Sequence, residues 1–407
     1  MYPPLCDSAD CRGSDAGRVR VSSSLPSPPP LPPSSCASST SRSKILATDV
    51  FNFLWIHLLI NLSKSAARAR AQSLLLPGEP NLEQQRLSRC PFPDPALNYR
   101  PVIGILSHPG DGASGRLNNA SNASYIAASY VKFVESAGAR VIPLIYNEPE
   151  EVLLEKLNLV NGVLFTGGWA KTGLYYDMVE RIFKELLLKN DAGDHFPLFA
   201  ICLGFELVTM IVSQDRKILE SFSALDQSSA LQFVENVNIE RTVFRRFSPE
   251  LLQKLTTECL VMQNHQATVV SSEASDKIGM ILFKAYGISP ERFQQCSALS
   301  SFFEILTTSK DKNDKVYVST IQAYDYPITG FQWHPEKNAF EWGLSTIPHT
   351  EDAVQVTQNV ANFFVSEARK SLNRPPISTV LGNLIYNYSP TYCGKAGRGF
   401  DEVYIFA

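Results

Sequence analysis

The chain has 407 residues, of which 44% are apolar and 19% charged, and its formal net charge is −3. That apolar fraction is ordinary for a packed globular protein and excludes disorder of the whole chain. The near-neutral balance supplies no basic field for nucleic acid, and length alone, at about 150 residues per domain, suggests two or three domains.

Residues 1–50 are rich in Ser and Pro, with Ser27-Pro28-Pro29-Pro30-Leu31-Pro32-Pro33 in their midst. Such a stretch buries too little apolar surface to offset the entropy of ordering, so it reads as a disordered extension. The apolar run at 51–62 is shorter than the roughly 20 helical residues that span a bilayer. With Arg42 and Lys44 before it and Ala69-Arg70-Ala71 after it, the segment 51–71 reads as a secretory signal with an A-x-A cleavage site. This predicts a mature protein with no membrane span, routed through the secretory pathway to the vacuole or the extracellular space. A signal belongs at the start of a chain, and no methionine separates Met1 from this run. Residues 1–50 therefore read as the product of an altered upstream exon.

Beyond the signal, Cys90, Cys202, Cys259, Cys296 and Cys393 remain, none in a C-x-x-C pair. Neither a zinc site nor a dense disulfide framework is expected from that spacing. Sequons at Asn119, Asn122 and Asn387 suit a glycoprotein of the secretory route.

From Tyr99 onward, short apolar runs alternate with longer amphipathic ones. Segments 102–106, 141–145, 163–166 and 198–201 are predicted as buried strands. Between them, Ile126, Tyr130, Phe133, Val134 and Ala137 recur at helical spacing and stop at Gly138, a natural residue for a helix C-terminus. Helices are also predicted at 175–188 and 206–213. This βαβα series predicts an α/β fold, a mostly parallel central sheet with helices on both faces. The second half adds strands at 259–262, 302–308, 316–323 and 328–333 and a last helix at 352–370. One catalytic domain over 95–370 is expected, followed by a tail, 371–407, whose Pro375-Pro376 marks departure from the core.

In open α/β sheets the chemistry gathers at the carboxyl ends of the strands. Cys202 falls at such an end, in Ala200-Ile201-Cys202-Leu203-Gly204-Phe205-Glu206, a strand, a turn and a helix start. A nucleophile there is held in a sharp elbow, and glycine at 204 keeps the crowded turn free of a Cβ. A thiol nucleophile needs a proton shuttle. Of His108, His195, His265, His334 and His349, only His334 ends a strand with a carboxylate two residues on, in Trp333-His334-Pro335-Glu336. In an extended segment those two side chains point the same way, so Glu336 is expected to orient the imidazole.

The two segments Cys202-Leu203-Gly204-Phe205-Glu206 and Trp333-His334-Pro335-Glu336-Lys337 together resemble the class I glutamine amidotransferase-like fold, which is flavodoxin-like. More narrowly the chain resembles the plant-type γ-glutamyl hydrolases. That likeness is carried also by Pro101-Val102-Ile103-Gly104-Ile105-Leu106, Tyr125-Ile126-Ala127-Ala128-Ser129-Tyr130, Phe165-Thr166-Gly167-Gly168 and Tyr386-Asn387-Tyr388-Ser389-Pro390. The resemblance implies a nucleophile at Cys202, a general acid and base at His334 and an orienting carboxylate at Glu336. It also implies that His265 lines the substrate cleft, and that the substrate is a folylpoly-γ-glutamate cleaved without metal or cofactor. The oxyanion formed on attack needs preorganised donors; the backbone N–H groups of Leu203 and Gly168 are the candidates. Arg116 and Lys171 are candidates for the α-carboxylates of a polyglutamate tail, although a lone basic residue is more often simply solvated. The resemblance leaves a homodimer open.

One segment departs from the pattern. The plant-type family implies a basic residue almost directly after Asn264-His265, and then the aromatic-Gly-Ile-Ser-Pro run found here at Tyr286-Gly287-Ile288-Ser289-Pro290. Residues 266–285 intervene. Surface insertions add little closure entropy, so folding is expected to survive; a retained intron fragment or alternative splice form is favoured over an evolved lid as its origin. Two other functions remain in view: a glutaminase-type amidotransferase subunit, and a binding homologue inactivated by the insertion.

Overall fold

The computed structural model describes residues 92–263, 285–394 and 400–407. The expectations placed on 1–71, on His265 and on 266–284 lie outside them.

Eight strands form the central sheet. In spatial order they are β4 (Arg140–Leu144), β1 (Val102–Leu106), β5 (Val163–Phe165), β6 (Leu198–Ile201), β14 (Ile328–Phe331), β13 (Val316–Ala323), β12 (Phe303–Lys310) and β9 (Gln232–Phe233). The first five pair in parallel, and the last three add antiparallel partners at one edge. The α/β expectation is met, but the strand expected at 259–262 lies outside this sheet: β10 (Val261–Gln263) pairs with β8 (Gln227–Ser229) in a two-stranded ribbon, as β11 (Ala285–Gly287) does with β7 (Glu220–Phe222).

Each parallel strand is buried on both faces, which is why it reads as an apolar run without alternation. The side chains nevertheless divide by parity. Val102, Leu106, Phe165, Leu198 and Ala200 pack with the helices Glu150–Leu157, Leu174–Asp191 and Leu203–Ser213. Ile103, Ile105, Leu164, Phe199 and Ile201 pack with the helices Ala128–Ser136 and Glu351–Ala368. Among the described residues no helix is long and apolar enough to cross a membrane.

Helix ends follow the local sequence. Gly138 takes φ +86° just beyond the helix Ala128–Ser136, and its N–H bonds the Glu135 carbonyl. Thr350 caps Glu351–Ala368 by accepting the N–H of Ala353.

Three expectations need correction. Ile126 is not helical. It lies in β3 (Ser124–Ala127), opposite Tyr404 of β16 (Glu402–Phe406), so a strand end and a helix start together mimic a 3.6-residue period. The helix after Cys202 begins at Leu203 rather than 206, because the elbow runs straight into it. The tail does not leave the core. The described residues form one compact unit, and after Pro375-Pro376 a helix, Ile377–Asn383, buries Val380. The chain then returns through β16, whose Val403 and Phe406 are buried. That strand joins β15 (Thr391–Tyr392), β3 and β2 (His108–Pro109) in a second sheet.

Candidate active site

The carboxyl ends of β1, β5, β6 and β14 converge, and each delivers one part of the site. β6 is followed directly by Cys202, whose N–H bonds the Phe331 carbonyl at 2.7 Å, continuing the pairing of β6 with β14. Cys202 itself has φ +52° and ψ −102°, a conformation that L-residues rarely adopt. The strain is held by the helix that follows and by Gly204, where a Cβ would stand 2.8 Å from both the Cβ and the carbonyl oxygen of Phe165. The elbow expected from the sequence is present, and glycine is needed at 204 because backbone occupies the space.

His334 and Glu336 follow β14. That strand ends at Phe331, short of the expected 333, and the chain bends. His334 is anchored by its N–H to the Met262 carbonyl at 2.9 Å. Pro335 offers its carbonyl to the Thr357 hydroxyl at 2.6 Å. Glu336 has helical dihedrals (φ −76°, ψ −20°) at the head of the turn Lys337–Phe340, so the extended segment inferred from the sequence is not what aligns the pair. A turn does it instead, and His334 Nδ1 lies 2.7 Å from Glu336 Oε1. Both are buried, at 5% and 0% side-chain exposure.

With Nδ1 engaged by Glu336, the other ring nitrogen is left for Cys202, to which the imidazole also bonds. Burial alone would lower the basicity of His334. Glu336 and then Cys202 outweigh it and raise the imidazole to about 9. Burial likewise opposes ionisation of Glu336, and the imidazolium prevails, holding the carboxyl below its ordinary value. The site therefore carries an imidazolium at neutral pH between two acidic groups.

β5 supplies the opposite wall. A Cβ on Gly167 would stand 2.9 Å from His334 Cε1 and 3.4 Å from Cys202 Cβ, so this backbone lies directly against the cysteine and histidine. The Gly167 N–H is taken by the Tyr130 hydroxyl at 2.9 Å. That leaves Gly168 as the candidate donor from the glycine pair, and Leu203, first in its helix, has no intrahelical carbonyl to bond.

β1 contributes His108, which sequence reasoning passed over. It is the second residue after the strand, the position where chemistry gathers, and that signal was available. Its Nδ1 donates to the Pro109 carbonyl at 2.8 Å, so Nε2 is an acceptor, and it takes the N–H groups of Trp169 (3.0 Å) and Ala170 (3.2 Å). Burial lowers it to about 3, partly offset by the Pro109 bond, so the ring is neutral. Tyr130 was also missed as a contributor. Burial, with Glu336 and Cys202 nearby, holds its hydroxyl well above the ordinary tyrosine range.

Lys171 is partly exposed, and its ammonium is already engaged rather than free for a substrate carboxylate. Its Nζ lies 2.7 Å from Glu206 Oε2 and 3.8 Å from the Tyr286 ring centroid. Burial raises Glu206 above its ordinary value in spite of Lys171. Arg116 is exposed, and its Nε donates to the Ala113 carbonyl. A cleft of about 630 Å³ opens at the other end of the sheet, beside Pro197 and Pro327, where Glu367 is surrounded by His195, Arg245 and Lys370. It contains none of the converging residues.

A thiol in an elbow beside a buried His–Glu pair, on a doubly wound sheet, is equipped for acyl transfer through cysteine. Comparison with known proteins narrows the class. Residues 101–336, from the first strand to Glu336, match the family model Peptidase C26. The chain is 61% identical over 359 residues to γ-glutamyl hydrolase 2 of Arabidopsis thaliana, covering 88% of this chain and 98% of that one. It is 64% identical over 340 residues to γ-glutamyl hydrolase 1 of the same plant, covering 84% and 92%. A solved glutamine amidotransferase of Thermotoga maritima aligns with a TM-score of 0.37 at 13% identity, over 67% of this chain and 100% of that one. The chain belongs to the Peptidase C26 family and, within it, to the plant-type γ-glutamyl hydrolases.

Proposed function

We propose that this chain cleaves the γ-glutamyl amide bonds of folylpoly-γ-glutamates through a thioester on Cys202. The observation that carries the reading is one imidazole held between Glu336 and Cys202, buried and raised to about 9. The thiolate attacks the γ-carbonyl carbon, forming the C–S bond and an oxyanion that the Leu203 and Gly168 N–H groups face. His334, as imidazolium, gives its proton to the amine of the leaving glutamate as the C–N bond breaks. It then takes a proton from water, whose oxygen attacks the thioester and returns the thiolate. Glu336 keeps the ring oriented and offsets its charge throughout. His265 is the further substrate contact in this reading. We also propose passage through the secretory pathway, on the signal-like segment 51–71.

Incubation of the full chain with a pteroylpolyglutamate, beside Cys202→Ala, tests the mechanism. Release of glutamate or glutamyl peptides, lost in the variant, is the expected result. Ammonia released from glutamine with the polyglutamate untouched would point to an amidotransferase subunit, and inertness toward both to a binding homologue. For the route, N-terminal sequencing of native protein is expected to begin after residue 71; a mature chain that retains the Ser/Pro segment defeats it.

A further inference from the structure

The backbone that walls the site is held by a histidine outside the Cys–His–Glu set. His108 Nε2 accepts two consecutive N–H groups, from Trp169 and Ala170. Its ring also fills the space beneath Gly168. A Cβ there would stand 2.2 Å from His108 Cδ2 and 2.4 Å from Nε2, and Gly168 has φ +157°. The ring is in turn fixed on its other side, because Nδ1 donates to Pro109 and the edges of Tyr125, Trp169 and Tyr175 surround it at 5.1–5.5 Å between centroids. One residue back along the same loop, Gly167 abuts His334 and Cys202.

We propose that His108 is a positioning residue for this site: its Nε2 and ring face set the backbone of residues 167–170, and so the place of the Gly168 N–H, one residue on from the glycine that abuts Cys202. The inference rests on the hydrolase reading above. Tyr130 holds the loop at Gly167 and His108 holds it at 169 and 170, so the candidate donor lies between two fixed points. A neutral acceptor is required. An imidazolium would turn a donor toward two donors, and burial keeps that form away.

The test compares three forms of the full chain. His108→Phe keeps the ring volume and loses the acceptor; His108→Gln restores an acceptor at the same reach. For His108→Phe, kcat on a pteroylpolyglutamate is expected to fall about 10- to 100-fold, as for a misplaced oxyanion donor, with KM within about twofold. His108→Gln should recover most of the loss. Alkylation of Cys202 by iodoacetamide should change far less than kcat, since Tyr130 still holds Gly167 where the loop meets the nucleophile and its imidazole. Amide hydrogen exchange across residues 166–172 should accelerate in His108→Phe and not in His108→Gln. Unchanged exchange in His108→Phe overturns the proposal. So does unchanged kcat with faster exchange, or an equal loss in both variants. If the unsubstituted chain cleaves nothing, the hydrolase reading fails by itself, and exchange still decides whether His108 holds the loop.

Discussion

His334 Nδ1 lies 2.7 Å from Glu336 Oε1, the carboxylate fully buried and the imidazole nearly so. The imidazole gains its second partner, Cys202, from a different strand, so the turn after β14 and the elbow after β6 meet at one ring. Because burial alone would drive His334 toward the neutral form, its charge depends on Glu336 more than on any other group. Replacement of Glu336 by Gln keeps shape and a hydrogen bond and removes that support. The expected outcome is a kcat/KM lower by about 10²- to 10⁴-fold. The alkaline limb of the pH profile, set near pH 9 by His334, should move to lower pH. Measurement of kcat/KM against pH for both forms checks this; an unmoved limb would show that Glu336 does not set the charge.

Stability should follow the same proton. Folded His334 keeps it to about 9, against an ordinary value of 6.5. A group raised on folding stabilises fully below its unfolded value and loses that contribution as pH climbs through the folded one. Some stability, on the order of 3 kcal/mol, is therefore lost between pH 6.5 and about 9. Urea unfolding on either side of that window, for the native chain and for His334→Gln, isolates the effect: the decline should be steeper in the native chain, and parallel curves would contradict it.

Much of this site could be read from residue order, and the reason is local. A strand, a cysteine and a helix start are adjacent in sequence, as are His334, Pro335 and Glu336, so elbow and pair are each made within a few residues. What escaped was the wall. Tyr130 and His108 reach Gly167 and Trp169 across 37 and 61 residues, and in the sequence each lies within an ordinary apolar pattern. Lys171 and Glu206 were unreadable as partners for the same reason, while the return of β16 to β3 spans nearly the whole domain. Even the correct pairing of His334 with Glu336 was reached through an extended geometry, whereas the chain makes it with a turn.

The elbow stores strain that one pair of variants can measure. Alanine and glycine at 202 both remove the thiol, but only glycine relaxes at φ +52°. Cys202→Gly should therefore be more stable than Cys202→Ala by about 1–2 kcal/mol, in denaturant melts of two inactive proteins. Equal stability would mean that the elbow is unstrained.

Gly204→Ala makes the opposite test. The added methyl would meet Phe165 at its Cβ and carbonyl oxygen, both 2.8 Å away, and neither is the flexible end of a side chain. Overpacking of that kind costs about 1–3 kcal/mol, and here relief requires the Leu203–Ser213 helix to move from β5, carrying Cys202 with it. Loss of both stability and Cys202 alkylation rate is expected. A variant with unchanged melting and full activity would show that the turn has room.

Lys171 and Glu206 form another charged contact near the elbow, at 2.7 Å, with Glu206 almost wholly buried. Removal of the lysine leaves a carboxylate without its counter-charge in a place where burial already disfavours ionisation. Lys171→Met should cost roughly 3 kcal/mol at neutral pH, because breaking one side of a buried pair strands the other. The sign with pH follows from the raised Glu206: its stabilising protonated form is complete in acid and lost as pH rises through the folded value, so the deficit should shrink below the ordinary carboxylate range. Lys171→Met combined with Glu206→Gln removes the stranded charge and should recover part of the loss. Chemical denaturation of both variants in acid and at neutral pH decides this, and a pH-independent deficit would assign the effect to lost packing on Tyr286 instead.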